Sequence, residues 1–209
     1  MGAPLVVPIF PLPDITLFPH TTLPLHVFEA RYRAMVTDAL ERNRRLVIVR
    51  LRPGYQATYA GKPAVHDVGG VGEIVSCDRL PTGRYNLLLR GDDRVRIEQE
   101  LPSDTLYRLV RVRTLDDVAP TRDTAPALAR IRAACRNLLG ALGRPLDLLD
   151  AALAERQPAG VIADRVAAAV LPDADLRQEL LETLDVTTRV ARVADAVEAL
   201  VRELEGRRE

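Results

Sequence analysis

Near residue 118 the apolar residues of this 209-residue chain change their spacing, so no single regular architecture can account for the whole. Before that point they come in short runs or alternate, as in Leu46–Leu51, Val71–Cys77, Tyr85–Arg90, Arg94–Glu100 and Leu106–Thr114, a period that suits strands. Turn chemistry separates the runs: Arg-Pro-Gly at 52–54, Gly69-Gly70, Pro81-Thr-Gly83 and Gly91-Asp-Asp93. Six of the fifteen prolines fall in the first 24 residues, among the runs Leu5–Val7, Ile9–Phe10 and Ile15–Phe18. Proline cannot donate to a sheet ladder, so these runs read as edge strands, bulges and extended connectors.

One stretch carries both periods. In LPLHVFEARYRAMV, residues 23–36, Leu23, Leu25 and Val27 alternate, and from Glu29 the spacing turns helical, with Tyr32, Met35, Val36, Ala39 and Leu40 on one face. The pattern predicts a strand running into a helix near 29–43. Glu29 falls in the first turn, where the helix dipole favours a negative charge, and is spaced to pair with Arg33. Arg31 lies off the apolar face and is the residue there most free to contact something else. About seven short strands and one helix predict a compact, strongly bent barrel or sandwich over residues 1–118. The long connection from Arg52 to Gly69 reads either as a functional, mobile loop or as a flap packed over the barrel.

After a linker at 119–126 the chain reads as an α-helical bundle, residues 127–209. Leu128, Ile131, Cys135, Leu138 and Leu142 recur at helical spacing, as do Val190, Val193, Val197, Leu200 and Leu204. Shorter amphipathic pieces lie at about 146–154, 159–171 and 173–184, broken by Gly143, Pro145, Pro158 and Pro172. The stripe at 190–204 is open to two readings: packing within the bundle, or pairing with a second copy in a homo-oligomer.

Charge and composition exclude several function classes. The 29 basic and 29 acidic residues cancel, and they divide 16 to 14 before residue 118 and 13 to 15 after it. Neither half has the excess expected of a nucleic-acid or anionic-membrane binder. No apolar run approaches the roughly 20 residues of a membrane span, and the proline-broken N-terminus lacks the basic segment of a signal peptide. A cytoplasmic protein is expected, with Cys77 and Cys135 as buried free thiols.

Catalytic equipment is sparse. Lys62 is the sole lysine; Pro63 follows it, and Gly54 and Gly61 are too far apart for a phosphate-binding loop. A Ser–Lys dyad would need Ser76 or Ser103, neither in a nucleophile context, and Cys77 or Cys135 has no local signature with His20, His26 or His66. The histidines are unclustered, so no metal ligand set is expected, and no cofactor. Asp92-Asp93 and Asp116-Asp117 read as turn residues.

Three segments resemble a known family. PIFPLPDITLFPHTTLPLHVFEARYRAMV (8–36) is similar to the opening of the amino-terminal domain of Lon proteases. VGGVGEIVSCDRLPTGRYNLLLRGDDRVRIEQE (68–100) resembles its Gly-x-x-Gly-x-Ile strand, Asp-Gly hairpin and "GxxRxRI" strand. ELLETLDVTTRVARVADAVEAL (179–200) resembles its "LLE-x-x-d-v-x-x-R" passage. Ala30 stands where the family has proline, His20 where glycine is common, and Thr82-Gly83 at the hairpin.

The resemblance implies an α+β fold, a PUA-like β pseudo-barrel followed by an α-helical bundle, that recognises unfolded or damaged polypeptides. The family's ATPase and Ser–Lys peptidase have no counterpart in these residues, so a stand-alone, non-enzymatic form is expected. Its partner would be an unfolded polypeptide, held at an exposed strand edge or a groove between barrel and bundle, with Phe28, Arg31, Tyr32, Tyr55 and Tyr59 as candidate contacts. An adaptor or subunit of a separate ATP-dependent protease and an RNA-binding PUA-like protein are the alternatives. The near-neutral first half disfavours the latter.

Overall fold

The structure, a computed structural model, describes residues 5–59, 61–144 and 157–206. The chain divides into two compact units, Met1–Asp116 and Asp117–Glu209. The described residues form an α+β protein with six strands and five α-helices.

The first unit contains β1 (Leu5–Leu12), β2 (Thr22–Val27), α1 (Ala30–Glu41), β3 (Arg45–Arg50), a 3₁₀ turn (Tyr55–Thr58), β4 (Val68–Arg79), β5 (Tyr85–Leu101) and β6 (Leu109–Leu115). Strand order is β2-β5-β4-β3-β1-β6, and a further β5–β6 pairing closes the sheet on itself. Closure depends on the 17-residue length of β5. Its first part, Tyr85–Arg90, pairs with β2, and its last part, Arg94–Leu101, pairs with β6.

Two sequence expectations are corrected here. Gly91-Asp-Asp93 is not a turn between two strands; β5 runs straight through it with a register shift against β4. Gly69-Gly70 likewise lies inside β4. These glycines mark close backbone approach. A Cβ on Gly70 would stand 1.9 Å from the carbonyl oxygen of Leu17, and one on Gly91 would stand 2.1 Å from that of Phe18. The segment before β2 therefore lies directly on the sheet and is fastened there: Gly91 N–H donates to Thr21 O (2.8 Å) and His20 N–H to Gly91 O (2.9 Å). His20 holds φ at +60°, which explains why glycine suits this place.

Nor is β1 an edge strand, despite Pro8 and Pro11. Leu5–Pro8 pair antiparallel with β6, and Ile9–Leu12 pair parallel with β3. Ile9 donates to Arg108 O (3.0 Å), so by alternation Pro11 turns its missing donor beyond the last β6 partner. Pro8 turns the other way, ahead of the first β3 partner. The change of partner leaves a gap on each side, and a proline sits at each gap.

The unit has two cores. Val7, Ile9, Val47, Val49, Val71, Val95, Val110 and Val112 fill the closed barrel, all β-branched. On the other face of β1 and β3, Phe10, Leu46 and Ile48 meet Tyr32, Met35 and Val36 of α1. Strands buried on both faces produce the unbroken apolar runs of the sequence.

The second unit consists of α2 (Ala125–Ala141), α3 (Ala159–Val170), α4 (Ala174–Glu182) and α5 (Val186–Gly206). The predicted piece at 146–154 lies outside the described residues. Asp173 caps α4 by accepting from the N–H groups of Asp175 (2.8 Å) and Leu176 (3.1 Å), and Asp185 accepts from Thr188 N–H (2.7 Å) at the start of α5. The apolar stripe of α5 packs inside this unit, with Val190, Val193 and Val197 fully buried. It continues through Ala194 and Val201, while Leu200 and Leu204 lie half-buried at its border. Leu142, expected in the α2 stripe, is 55% exposed just past the helix end.

Arg189 is the largest fully buried side chain among the described residues. Its Nη1 donates to Asp117 (2.9 Å) and to Thr183 O (2.7 Å), its Nη2 also binds Asp117, and its Nε lies 3.1 Å from the buried Asp164. One guanidinium thus ties the start of the unit, α3 and the α4–α5 connection together. Gly160 leaves room for it: a Cβ there would stand 2.7 Å from Nη2.

Candidate functional site

The strand-to-helix corner that the sequence singled out is a cluster of charge and aromatic rings. Glu29 is the N-cap of α1 but gives the helix no side-chain bond. Its carboxylate instead accepts from Arg31 Nε (3.1 Å) and from the Tyr59 hydroxyl (2.7 Å). The expected Glu29–Arg33 pair is replaced by this arrangement, because Tyr59 and Arg31 reach the carboxylate first from the loop side.

Arg31 is correspondingly not free. It pairs with Glu29 (3.0 Å), donates to Tyr59 O (3.2 Å), and its guanidinium lies 4.7 Å from the Tyr32 ring centroid and 4.9 Å from that of Tyr59. Tyr32 is core, 5% exposed, with its ring 4.3 Å from Phe10. Burial pushes its phenol up to about 12, so the group is a neutral donor at ordinary pH. Tyr55 stands half-buried 6.0 Å from Tyr59.

The 52–67 connection is the packed flap of the two readings. Arg52 N–H donates to Ala64 O (2.9 Å), Leu51 bridges to Val65, and Arg108 Nη1 donates to Pro63 O (2.8 Å). Lys62 pairs with Glu100 at 2.9 Å, and Glu100 also accepts from Arg108 Nη2 at 2.8 Å. Burial would raise the Glu100 carboxyl, but hydrogen bonds from Arg108 and Lys62 outweigh it and hold the group below its usual value. From the other side, the Tyr107 hydroxyl donates to Asp38 of α1 (2.6 Å).

Between these elements lies a small pit of about 30 Å³, lined by residues that include Ile9, Arg31, Tyr32, Pro63, Leu106 and Arg108. Leu106 is 69% exposed. Glu29, expected to pair with Arg33, pairs with its near neighbour Arg31 instead, whereas Pro63, Leu106, Tyr107 and Arg108 escaped the sequence reading. They are brought beside Arg31 only by barrel closure, which no local pattern announces.

Phe28 stands apart from this cluster. It is 59% exposed and stacks loosely on His26, with ring centroids 6.2 Å apart. His26 in turn bonds Asn86 across the strand pair (Nδ1···Oδ1 2.7 Å). The strand leading into Phe28, β2, has β5 as its one neighbour among the described residues, which leave its other edge, Thr22–Val27, unpaired in the sheet. Pro24 on that edge agrees with the sequence reading.

The groups considered for catalysis are engaged elsewhere. Ser103 bonds Thr105 (2.8 Å) while Lys62 pairs with Glu100. Burial raises both thiols, Cys135 to about 11, away from the nucleophilic thiolate. Among the described residues no His/Cys/Asp/Glu group could hold a metal ion, and no helix is long and apolar enough to cross a membrane.

The family model described as the ATP-dependent protease La (LON) substrate-binding domain matches residues 6–199. Among curated relatives, a Lon protease of Roseiflexus castenholzii is 31% identical over 197 residues, covering 93% of this chain and 24% of that protein. A Lon protease of Desulfosudis oleivorans is 25% identical over 200 residues, covering 91% of this chain and 23% of the other. The chain thus spans about a quarter of the length of the curated relatives it matches. The fold is similar to the N-terminal domain of a Mycobacterium avium complex Lon protease, with a TM-score of 0.75 at 18% identity over 92% of this chain and 98% of that one. It is also similar to a Lon N-terminal domain protein from Xanthomonas campestris, with a TM-score of 0.65 at 23% identity over 90% and 96%.

Proposed function

This chain belongs to the ATP-dependent protease La (LON) substrate-binding domain family, and we propose that it holds extended polypeptides without performing covalent chemistry on them. The observation that carries this reading is the unpaired edge of β2 running into the exposed Phe28. A strand edge offers backbone donors and acceptors to any sequence, which suits a receptor for unfolded chains. Phe28 adds an exposed aromatic anchor at the end of that edge. Arg31, Tyr32 and Tyr59 support the corner from within and Tyr55 stands half-buried beside Tyr59, so of the five singled out by the sequence Phe28 is the one we assign as the contact. The engaged Lys62 and Ser103 and the raised thiols support a non-catalytic role.

Fluorescence anisotropy with a labelled, permanently unfolded protein tests the reading. Binding is expected in the micromolar range, and Phe28→Ala should weaken it about tenfold, an anchor worth roughly 1.4 kcal/mol, without moving the melting temperature. Absence of binding at high micromolar concentration, or an unaffected Phe28→Ala, would refute it.

A further inference from the structure

We propose that the pit between Arg31 and Arg108 receives the C-terminal carboxylate of a bound polypeptide, whose last apolar side chain rests on Leu106. The occupant follows from the polypeptide-binding reading above; the carboxylate follows from the pit itself.

Tyr32 is the first indication. Its ring is sandwiched between Phe10 and the Arg31 guanidinium, and the residue is 5% exposed. Yet its hydroxyl makes no hydrogen bond among the described residues, although it lines the pit. Opening to the pit rather than sealed in the core, this hydroxyl is a donor available to a ligand that accepts.

The arginines supply the rest. A guanidinium has five N–H groups. Arg31 uses Nε and Nη2 on Glu29 and Nη1 on Tyr59 O, and Arg108 uses Nε and Nη2 on Glu100 and Nη1 on Pro63 O, leaving N–H capacity on both. These bonds also fix the two planes, with side chains only 21% and 17% exposed. Fixed donors recognise a planar anion better than mobile surface arginines do. Arg31, Arg108 and Lys62 face Glu29 and Glu100, which leaves one positive charge in excess, and Asp38 at Tyr107 is offset by Arg42.

Size selects the end of a chain. A pit of about 30 Å³ receives a carboxylate more readily than a continuing backbone. At the rim Leu106, the most exposed large apolar side chain described, suits an apolar final residue.

The test uses an unstructured peptide ending in leucine in three forms: free acid, C-terminal amide, and amide with an internal glutamate. In parallel, N-acetylleucine and its amide are titrated while the arginine Nε–H signals are followed by NMR. The free acid should bind about tenfold more tightly than the amide. Tyr32→Phe, which keeps the ring packing, should remove most of that preference and leave the amide's affinity unchanged, and Leu106→Ala should weaken the acid form. Equal binding of acid and amide, or a preference that survives Tyr32→Phe, would overturn the proposal while leaving polypeptide binding intact. Glutamate peptide matching the free acid would overturn the terminal assignment. If N-acetylleucine shifts the arginine signals but no peptide binds, the carboxylate site stands and the polypeptide reading falls.

Discussion

The two units of this protein solve the same problem with opposite materials. Every tyrosine and phenylalanine lies in the first, from Phe10 to Tyr107, and the second has no aromatic residue at all. In the barrel unit, backbone groups satisfy one another around a closed sheet, the cluster inside it is apolar although Arg50 and Arg94 are also buried in that unit, and specificity comes from shape: glycines where another strand of backbone must touch. In the helical unit the core is aliphatic, built of alanine, valine, leucine and isoleucine. In the α4–α5 connection Leu184 O accepts from Val118 N–H in an isolated bridge, while Thr183 O is met by a side chain. That side chain is the buried Arg189. One fold is held by the absence of side chains, the other by the presence of one.

The contrast can be broken at either end. Gly70→Ala should have the largest effect, about 4 kcal/mol or more, because the methyl group would overlap the Leu17 carbonyl, which the barrel cannot move. Tyrosine fluorescence during urea unfolding reports it, since all five tyrosines belong to that unit. A loss below 1 kcal/mol would show that the close approach is adjustable.

Arg189→Met comes next, with an expected cost of about 3–5 kcal/mol from removing the buried guanidinium that pairs with Asp164 and Asp117. Circular dichroism at 222 nm should shift while the tyrosine transition holds. Labelling of Cys135, whose thiol burial pushes up to about 11, should accelerate, and labelling of Cys77 should not. Coincident shifts in both probes would mean that the units unfold as one.

A gain is expected at His20. Its φ of +60° is costly for a side chain with a Cβ, so His20→Gly should stabilise the barrel by about 0.5–1 kcal/mol in the same fluorescence assay.

The smallest effect concerns acid. The Glu100 carboxyl lies below its ordinary value of 4.5 when folded, so its stabilisation is present above that pH and is lost as pH falls through the folded value. Glu100→Gln should flatten the acid limb of the tyrosine-monitored stability curve by a few tenths of a kcal/mol; an unchanged limb would show that the Arg108–Lys62–Glu100 contact contributes nothing.

How much of this was legible in the sequence differs by unit. In the helical unit the 3.6-residue period placed the helices, and the resembling passage at 179–200 decodes residue by residue: Leu180 and Leu181 in the core, Asp185 as a cap, Arg189 as the hub. What the pattern could not say was that Arg189 points inward, since arginine at an amphipathic border is ordinarily solvated. In the barrel unit the strands were found but punctuated wrongly. Gly69-Gly70 and Gly91-Asp-Asp93 carry the composition of turns, and glycine is required equally by a turn and by a backbone contact. Of the candidate contacts, Phe28 is exposed, while Arg31 and Tyr32 are bound into the corner.

By itself, then, the sequence determined the periods: which segments extend, which coil, and where one kind gives way to the other, because each depends on neighbours within a few residues. Tertiary structure alone decided the closure of the barrel, the partners of Glu29, Arg31 and Arg189, and the pit under Tyr32. Those depend on which distant backbone comes within hydrogen-bonding distance, and that is set by packing over the whole unit rather than by any local repeat.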